Sequence, residues 1–214
     1  GLTKIPFTKG TAERVDISTE VTIEPGNSLN LQRRESVKVG DQIAEIRNSL
    51  AHADADERRR YLATDLSTSV IGIHLKNTDW EGLGSTSDSV VVSYDAEIDQ
   101  AVRDSGRLKI ASVPWRSAIG RHFGVLITET ERREPLVLRG LKVNEHEKVT
   151  IDLPQGWKVS SPPESRTFSC PCGVGEFTYE IRQGKILATR HLTIAGITIP
   201  TEHYPSFREF LEGV

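Results

Sequence analysis

The chain contains no methionine. A primary translation product begins with one, so residues are expected to precede Gly1, and the parent protein's function is expected to involve them. Cysteine is nearly absent. Cys170 and Cys172 are the only two, too few to assign a redox compartment and without the second pair that a four-ligand structural zinc site needs. No apolar run is long enough to span a bilayer, and no signal peptide opens the chain. The formal charge is −3, from 27 basic and 30 acidic residues. That gives no bulk attraction to nucleic acid or an anionic membrane. Several catalytic signatures are missing too. There is no glycine-rich phosphate loop followed by Lys-Ser/Thr, no G-x-S-x-G elbow and no H-E-x-x-H. The G-x-G fragments in "GLGS" and "GVGEF" lack a third glycine and a following helix, and read as turns.

What is present is a chain of 214 residues with 36% hydrophobic and 27% charged residues, ordinary for a globular protein with a proper core. Its first clear pattern has a period of two. Val15, Ile17, Thr19, Val21 and Ile23 alternate with Asp16, Ser18, Glu20, Thr22 and Glu24, which predicts a two-faced strand. Pro25-Gly26-Asn27 supplies the turn, and Leu29 and Leu31 begin the return strand. The period then becomes helical. Ile43, Ile46 and Leu50 follow Asp41 as N-cap, and Asp54 with Glu57 forms a capping box ahead of Tyr61, Leu62 and Leu66. The run Arg58-Arg59-Arg60 reads as the solvated face of this second helix, because Asp54, Asp56 and Glu57 dilute its field.

Strands are expected again from residue 70. Ile71, Ile73 and Leu75 share a face of "VIGIHLK", and "SVVVSYDAEI" and "RLKIASVPW" follow. Beyond Phe123 the segments "PLVLRGLKV", "EKVTIDLP", "GWKVS", "GEFTYEI" and "KILATRHLTI" read as strands, the last two joined by a hairpin loop at Gln183-Gly184. A short C-terminal helix places Tyr204, Phe207, Phe210 and Leu211 on one face. The expected fold is mainly β (α+β), with antiparallel β-sandwich-like sheets, a two-helix insertion near residues 41–66 and that C-terminal helix. The expected division is 1–120 and 121–214, with one core shared between them as the alternative.

Candidate chemistry centres on Cys170 and Cys172. They could serve as a nucleophile, a metal or redox pair, or small residues at a turn. A Cys-x-Cys disulfide closes a very tight ring. A cysteine nucleophile needs a histidine base. On the strand Lys185–Ile194 the apolar phase is Ile186, Ala188, Leu192 and Ile194, so His191 falls on the opposite, more polar face. His74 is out of phase with its apolar neighbours too. Neither histidine has an Asp or Asn placed by sequence to orient it. Trp80, Trp115 and Trp157 could stack sugars or bases, but single aromatics in β proteins more often belong to a core or its edge.

The C-terminal half also carries an ordered set of short motifs. They are Arg132, Pro135, Leu136 and Leu138; Leu153, Pro154, Gly156 and Trp157; Pro162 and Pro163; and Ile199, Pro200, Tyr204, Pro205, Phe207, Phe210 and Leu211. In this order they resemble the uncharacterised C-terminal domain of bacterial transglutaminase-like proteins. Upstream, Arg47, Glu57 and Arg58 sit in a region similar to the linker after the transglutaminase core. The resemblance implies an accessory domain packing on or orienting an upstream transglutaminase-like domain of the same polypeptide, in a periplasmic or extracellular setting. Cys170 and Cys172 match no family motif, and none of the family's catalytic residues has a counterpart here. The expectation is a non-catalytic domain with no cofactor, no metal site, no nucleic-acid partner and no membrane insertion. The alternatives are a glycan- or peptide-binding module using Trp80 or Trp115, and a cysteine-dependent hydrolase using Cys170 or Cys172 with His191.

Overall fold

A computed structural model describes residues 14–38, 41–67, 70–84, 87–116, 128–138, 143–194 and 198–213. The two-residue period at the start forms the hairpin β1 (Arg14–Ile23) and β2 (Leu29–Lys38). Its turn needs the left-handed region, at φ 102° for Gly26 and 70° for Asn27, which glycine and asparagine adopt most readily. Helices α1 (Asp41–Leu50) and α2 (Ala55–Ser67) follow. The capping box closes reciprocally. The Glu57 N–H donates to Asp54 Oδ1 at 2.8 Å, and the Asp54 N–H donates to Glu57 Oε2 at 3.1 Å. Two of the three consecutive arginines have structural work. Arg58 donates to the carbonyls of Leu50 and Ala51 at the end of α1, and Arg59 donates to the carbonyl of Leu75.

Strands β3 (Ile73–Glu81) and β4 (Ser89–Ile98) pair next, followed by the small hairpin β5 (Val102–Ser105) and β6 (Leu108–Ala111). The C-terminal half gives β7 (Leu136–Val137), β8 (Val143–Asp152), β9 (Arg166–Cys170), β10 (Gly173–Arg182), β11 (Lys185–Ile194), β12 (Thr198–Ile199) and α3 (Tyr204–Gly213). Eight of these strands form one sheet in the order β3-β4-β2-β1-β8-β11-β10-β9. Its neighbours are antiparallel except β1 and β8, which run parallel and join strands from the two halves of the chain. β7 with β12, and β5 with β6, make two small additional sheets. The mainly β architecture with two helices after the first hairpin and a third at the C-terminus is present. The expected division near residue 120 lies on residues outside those described.

Two local expectations are corrected. Ile71 does not share a face with Ile73 and Leu75; it is 95% exposed, because Gly72 at φ 74° turns the chain before β3 begins. "GWKVS" forms no strand. β8, which precedes it, already has β1 on one side and β11 on the other, so no ladder position beside it is free. β9 is a strand additional to those the periodicity predicts.

Among the described residues the α-helices α1, α2 and α3 cover the same face of the sheet. Leu62 and Leu66 of α2 pack on Leu29, Leu31, Ala96 and Ile98. Ile43, Ile46 and Leu50 of α1 pack on Val37 and Val90. α3 packs on Leu192 and Ile194. Each fully buried leucine contributes roughly 1.5–3 kcal/mol relative to exposure. The opposite face carries Ser18, Glu20, Gln32, Arg34, Ser93, Asp95, Lys148 and Thr150, which line a shallow polar depression. That is the one-sided pattern of an antiparallel sheet facing water.

Candidate functional site

The covered face is not apolar throughout. Across its centre Thr19, Arg33, Glu35, Tyr94, Glu145, Glu147 and Arg190 are all buried at inward-facing positions. Register brings them together. Thr19 lies opposite Arg33, Arg33 opposite Tyr94, and Glu147 opposite Arg190. Arg116 completes the layer from the irregular segment after β6, whose backbone at Pro114 and Arg116 meets the same side chains.

The contacts form one connected network. Arg33 Nε donates to Thr19 Oγ1 at 2.7 Å, and another Arg33 nitrogen donates to the carbonyl of Pro114. The Tyr94 hydroxyl donates to Glu35 Oε1 at 2.5 Å, and Arg116 Nε donates to the same oxygen at 2.9 Å. Arg116 also pairs with Asp65 of α2. The Arg116 N–H donates to Glu147 Oε1 at 2.7 Å, while its carbonyl accepts from Arg190. Arg190 pairs with Glu145 and, at 2.8 Å, with Glu147. Segment 114–116 is thereby fastened to both halves of the sheet and to α2.

Charge counting explains the protonation of this layer. Three guanidinium groups, of Arg33, Arg116 and Arg190, face four carboxyl groups, of Glu35, Glu145, Glu147 and Asp65. Burial pushes Glu147 up to about 7 against the attraction of Arg190 and Arg33, and its neighbour Glu145 pushes it further. Burial raises Glu145 too. Glu35 goes the other way: despite burial, Arg116, Arg33 and the Tyr94 hydroxyl hold it below the usual carboxylate range. Both shifts favour a shared proton on the Glu145–Glu147 pair as pH falls below about 7, which balances the layer.

These shifts fix a pH dependence. The contribution of Glu147 is fully present below its unfolded value of 4.5 and is lost as pH rises through about 7; raised Glu145 acts in the same direction. Lowered Glu35 contributes above 4.5, and that contribution disappears as pH falls through its folded value. Urea midpoints measured from pH 5 to pH 8 should therefore fall more steeply in the native chain than in Glu147→Gln. Equal slopes in the two proteins would remove the shared proton from the account.

The layer also positions an aromatic groove. Trp115, next to Arg116, lies under the Arg190 guanidinium at 5.5 Å from ring centroid to Cζ. It meets Phe177 edge-on at 6.0 Å, and Phe177 meets Phe168 edge-on at 5.9 Å. With Tyr179, Pro163, Glu164, Arg166 and Gly213 these rings line a groove of about 440 Å³ beside the outer strands β9 and β10. That volume suits a small ligand or a short extended segment. The rings offer stacking surfaces, and Arg166 and Glu164 offer one charge of each sign at the rim.

The other candidates fall elsewhere. Cys170 and Cys172 are joined as a disulfide across the turn between β9 and β10, at Cα–Cα 5.3 Å. Cys172 is buried with Leu192, Ile194 and Phe210 on the covered face. His191 is exposed on the opposite face, edge-on to His146 at 6.3 Å and 3.3 Å from Asn144 Oδ1. The structure does not bring His191 to the cysteines. His74 is exposed and pairs with Asp99 at 2.9 Å. Trp80 packs at the edge of the core, and Trp157 lies beside Lys109 at 5.8 Å. Of the three tryptophans, Trp115 is the one that lines the groove. The strands flanking the bridge are already held by their ladder, so replacing both cysteines by serine should leave the fold intact and cost about 0–2 kcal/mol. Urea denaturation checks this, and loss of cooperative unfolding would contradict it.

Residues 118–214 match the sequence profile of a family described as a domain of unknown function with a solved structure, DUF3858. The match runs from just after Trp115 and Arg116 to the end of α3, so it includes every groove residue except Trp115. No curated protein matches the chain. Among the described residues no helix is long and apolar enough to cross a membrane.

Proposed function

We propose that this chain is a non-catalytic accessory module of a larger protein, packing against or orienting a transglutaminase-like catalytic domain of the same polypeptide. The observation that carries this reading is the destination of the shifted ionisable groups. Glu35, Tyr94, Arg116, Glu145 and Glu147 spend their charges and hydrogen bonds on one another inside the sheet, where they fasten a loop. Such a layer makes a rigid platform. The resemblance of the ordered motifs from Arg132 to Leu211 to those of transglutaminase-like proteins supports the choice of that catalytic partner.

The test uses the full-length parent protein with and without this module. Removal should leave turnover of a small acyl substrate nearly unchanged and lower either turnover of protein substrates or the thermal midpoint of the remaining domain. Acyl-transfer or hydrolytic activity in the isolated chain would overturn the non-catalytic assignment. The placement of Trp115 favours a second reading, a glycan- or peptide-binding module. Its indole fluorescence should then change on titration with oligosaccharides or extended peptides, and the change should vanish in Trp115→Phe. No response to either ligand class would remove this reading.

A further inference from the structure

We propose that the Cys170–Cys172 disulfide is a redox-active bridge that exchanges with external thiols while the protein stays folded. It joins residues only two apart. Cys170 and Gly173 are ladder partners at the end of β9 and β10, and pairing continues to Arg166 and Phe177. β10 is also paired along its whole length with β11. The bridge therefore constrains a turn that the ladder and Pro171 already fix, and it closes a minimal loop in the unfolded chain.

Linkage makes this informative. A disulfide gains resistance to reduction from the folded state by the amount it stabilises that state, because both quantities belong to one thermodynamic cycle. A bridge that adds little to the fold gains little protection from it. The Cys-Pro-Cys ring thus keeps the lability of a tight bridge in an open peptide.

The two sulfurs are unequal. Cys172 is 3% exposed and sits against the α3 side chains, whereas Cys170 is half-buried. The Cys172 N–H also points at Cys170 Sγ, at 3.4 Å. Access decides the attacked sulfur, so an external thiolate attacks Cys170 Sγ. The S–S bond breaks, a mixed disulfide forms at Cys170, and Cys172 leaves with the electron pair and takes a proton. A second external thiolate attacks the external sulfur of that mixed disulfide. It releases the Cys170 thiolate, which the Cys172 N–H stabilises. In sum, two external thiols become one disulfide and the protein bridge becomes two thiols. The partner class is a small-molecule thiol or a protein dithiol.

The experiment treats the folded chain with millimolar reduced glutathione, quenches with acid, alkylates free thiols and counts them by mass, with near-ultraviolet circular dichroism recorded in parallel. Two alkylated cysteines are expected with the native spectrum retained, and glutathione disulfide should close the bridge again. A bridge that opens only when urea unfolds the chain would overturn the proposal. Single variants test the order of attack. Cys172→Ser, which leaves Cys170, should form a mixed disulfide with glutathione disulfide roughly tenfold or more faster than Cys170→Ser. Equal or inverted rates would overturn the assignment of Cys170 as the attacked sulfur.

Discussion

Arg190→Met is expected to lower stability by roughly 3–5 kcal/mol at neutral pH. Arg190 is 1% exposed and supplies donors to Glu145, Glu147 and the carbonyl of Arg116. Methionine fills much of the same volume, so the loss is electrostatic rather than a packing defect. Glu145 would remain buried without its cation and Glu147 would keep only the more distant Arg33, at 3.8 Å, while the loop carrying Trp115 and Arg116 would lose one of its anchors. The remedy is specific. Arg190→Met combined with Glu145→Gln and Glu147→Gln should recover a large part of the loss, since the removed charge then has no stranded partner. Urea denaturation of the three proteins decides it. A midpoint for Arg190→Met within about 1 kcal/mol of the native chain would mean that the layer is hydrated and its pairs are worth no more than surface ones.

This layer was partly legible in the sequence. Leu29, Leu31 and Val37 set an odd-numbered inward phase on β2, and the same phase passes through Arg33 and Glu35. On β11 the inward set Ile186, Ala188, Leu192 and Ile194 skips one position, and that position is Arg190. On β8 the phase of Val149 and Ile151 runs back through Glu147 and Glu145. Charged residues in phase with buried ones on three strands are a signal for a buried polar layer. The same phase that puts His191 outward puts Arg190 inward. Two further features carried no such signal. The parallel pairing of β1 with β8 joins residues more than a hundred positions apart, and local periodicity does not encode which strand lies beside which. Arg116 reaches the layer from a loop, where no period exists to extrapolate.

Features fixed by neighbours in sequence were legible. The Asp54–Glu57 box, the Gly26-Asn27 turn and the Gln183-Gly184 loop all depend on residues within about four positions, and all three form. The groove shows the intermediate case. The sequence offers Trp115 alongside Trp80 as a stacking candidate, but the partners Phe168, Phe177 and Tyr179 come from strands whose placement beside Trp115 depends on the whole sheet order.

Phe207→Ala should cost roughly 3–5 kcal/mol, and deletion of residues 203–214 should cost more. α3 is ten residues long, below the length at which a helix is stable by itself in water, so packing must hold it. Tyr204 and Phe207 are fully buried, and Phe210 and Leu211 nearly so, against Leu136, Leu138, Cys172, Leu192, Ile194 and Ile199. The Tyr204 hydroxyl donates to the carbonyl of Glu129 at 2.9 Å, and the Arg132 guanidinium lies 5.4 Å from its ring centroid. The helix thus seals the end of the covered face and ties down the segment around residues 129–132. Gly213 also touches the groove, because a Cβ there would collide with the ring of Phe168. Exposed Glu209 on the same helix is the control, and Glu209→Ala should change stability by less than about 0.5 kcal/mol. If Phe207→Ala and the deletion leave the urea midpoint where it was, the aromatic stripe is not sealing this core. Its apolar face would then be available as a docking surface instead.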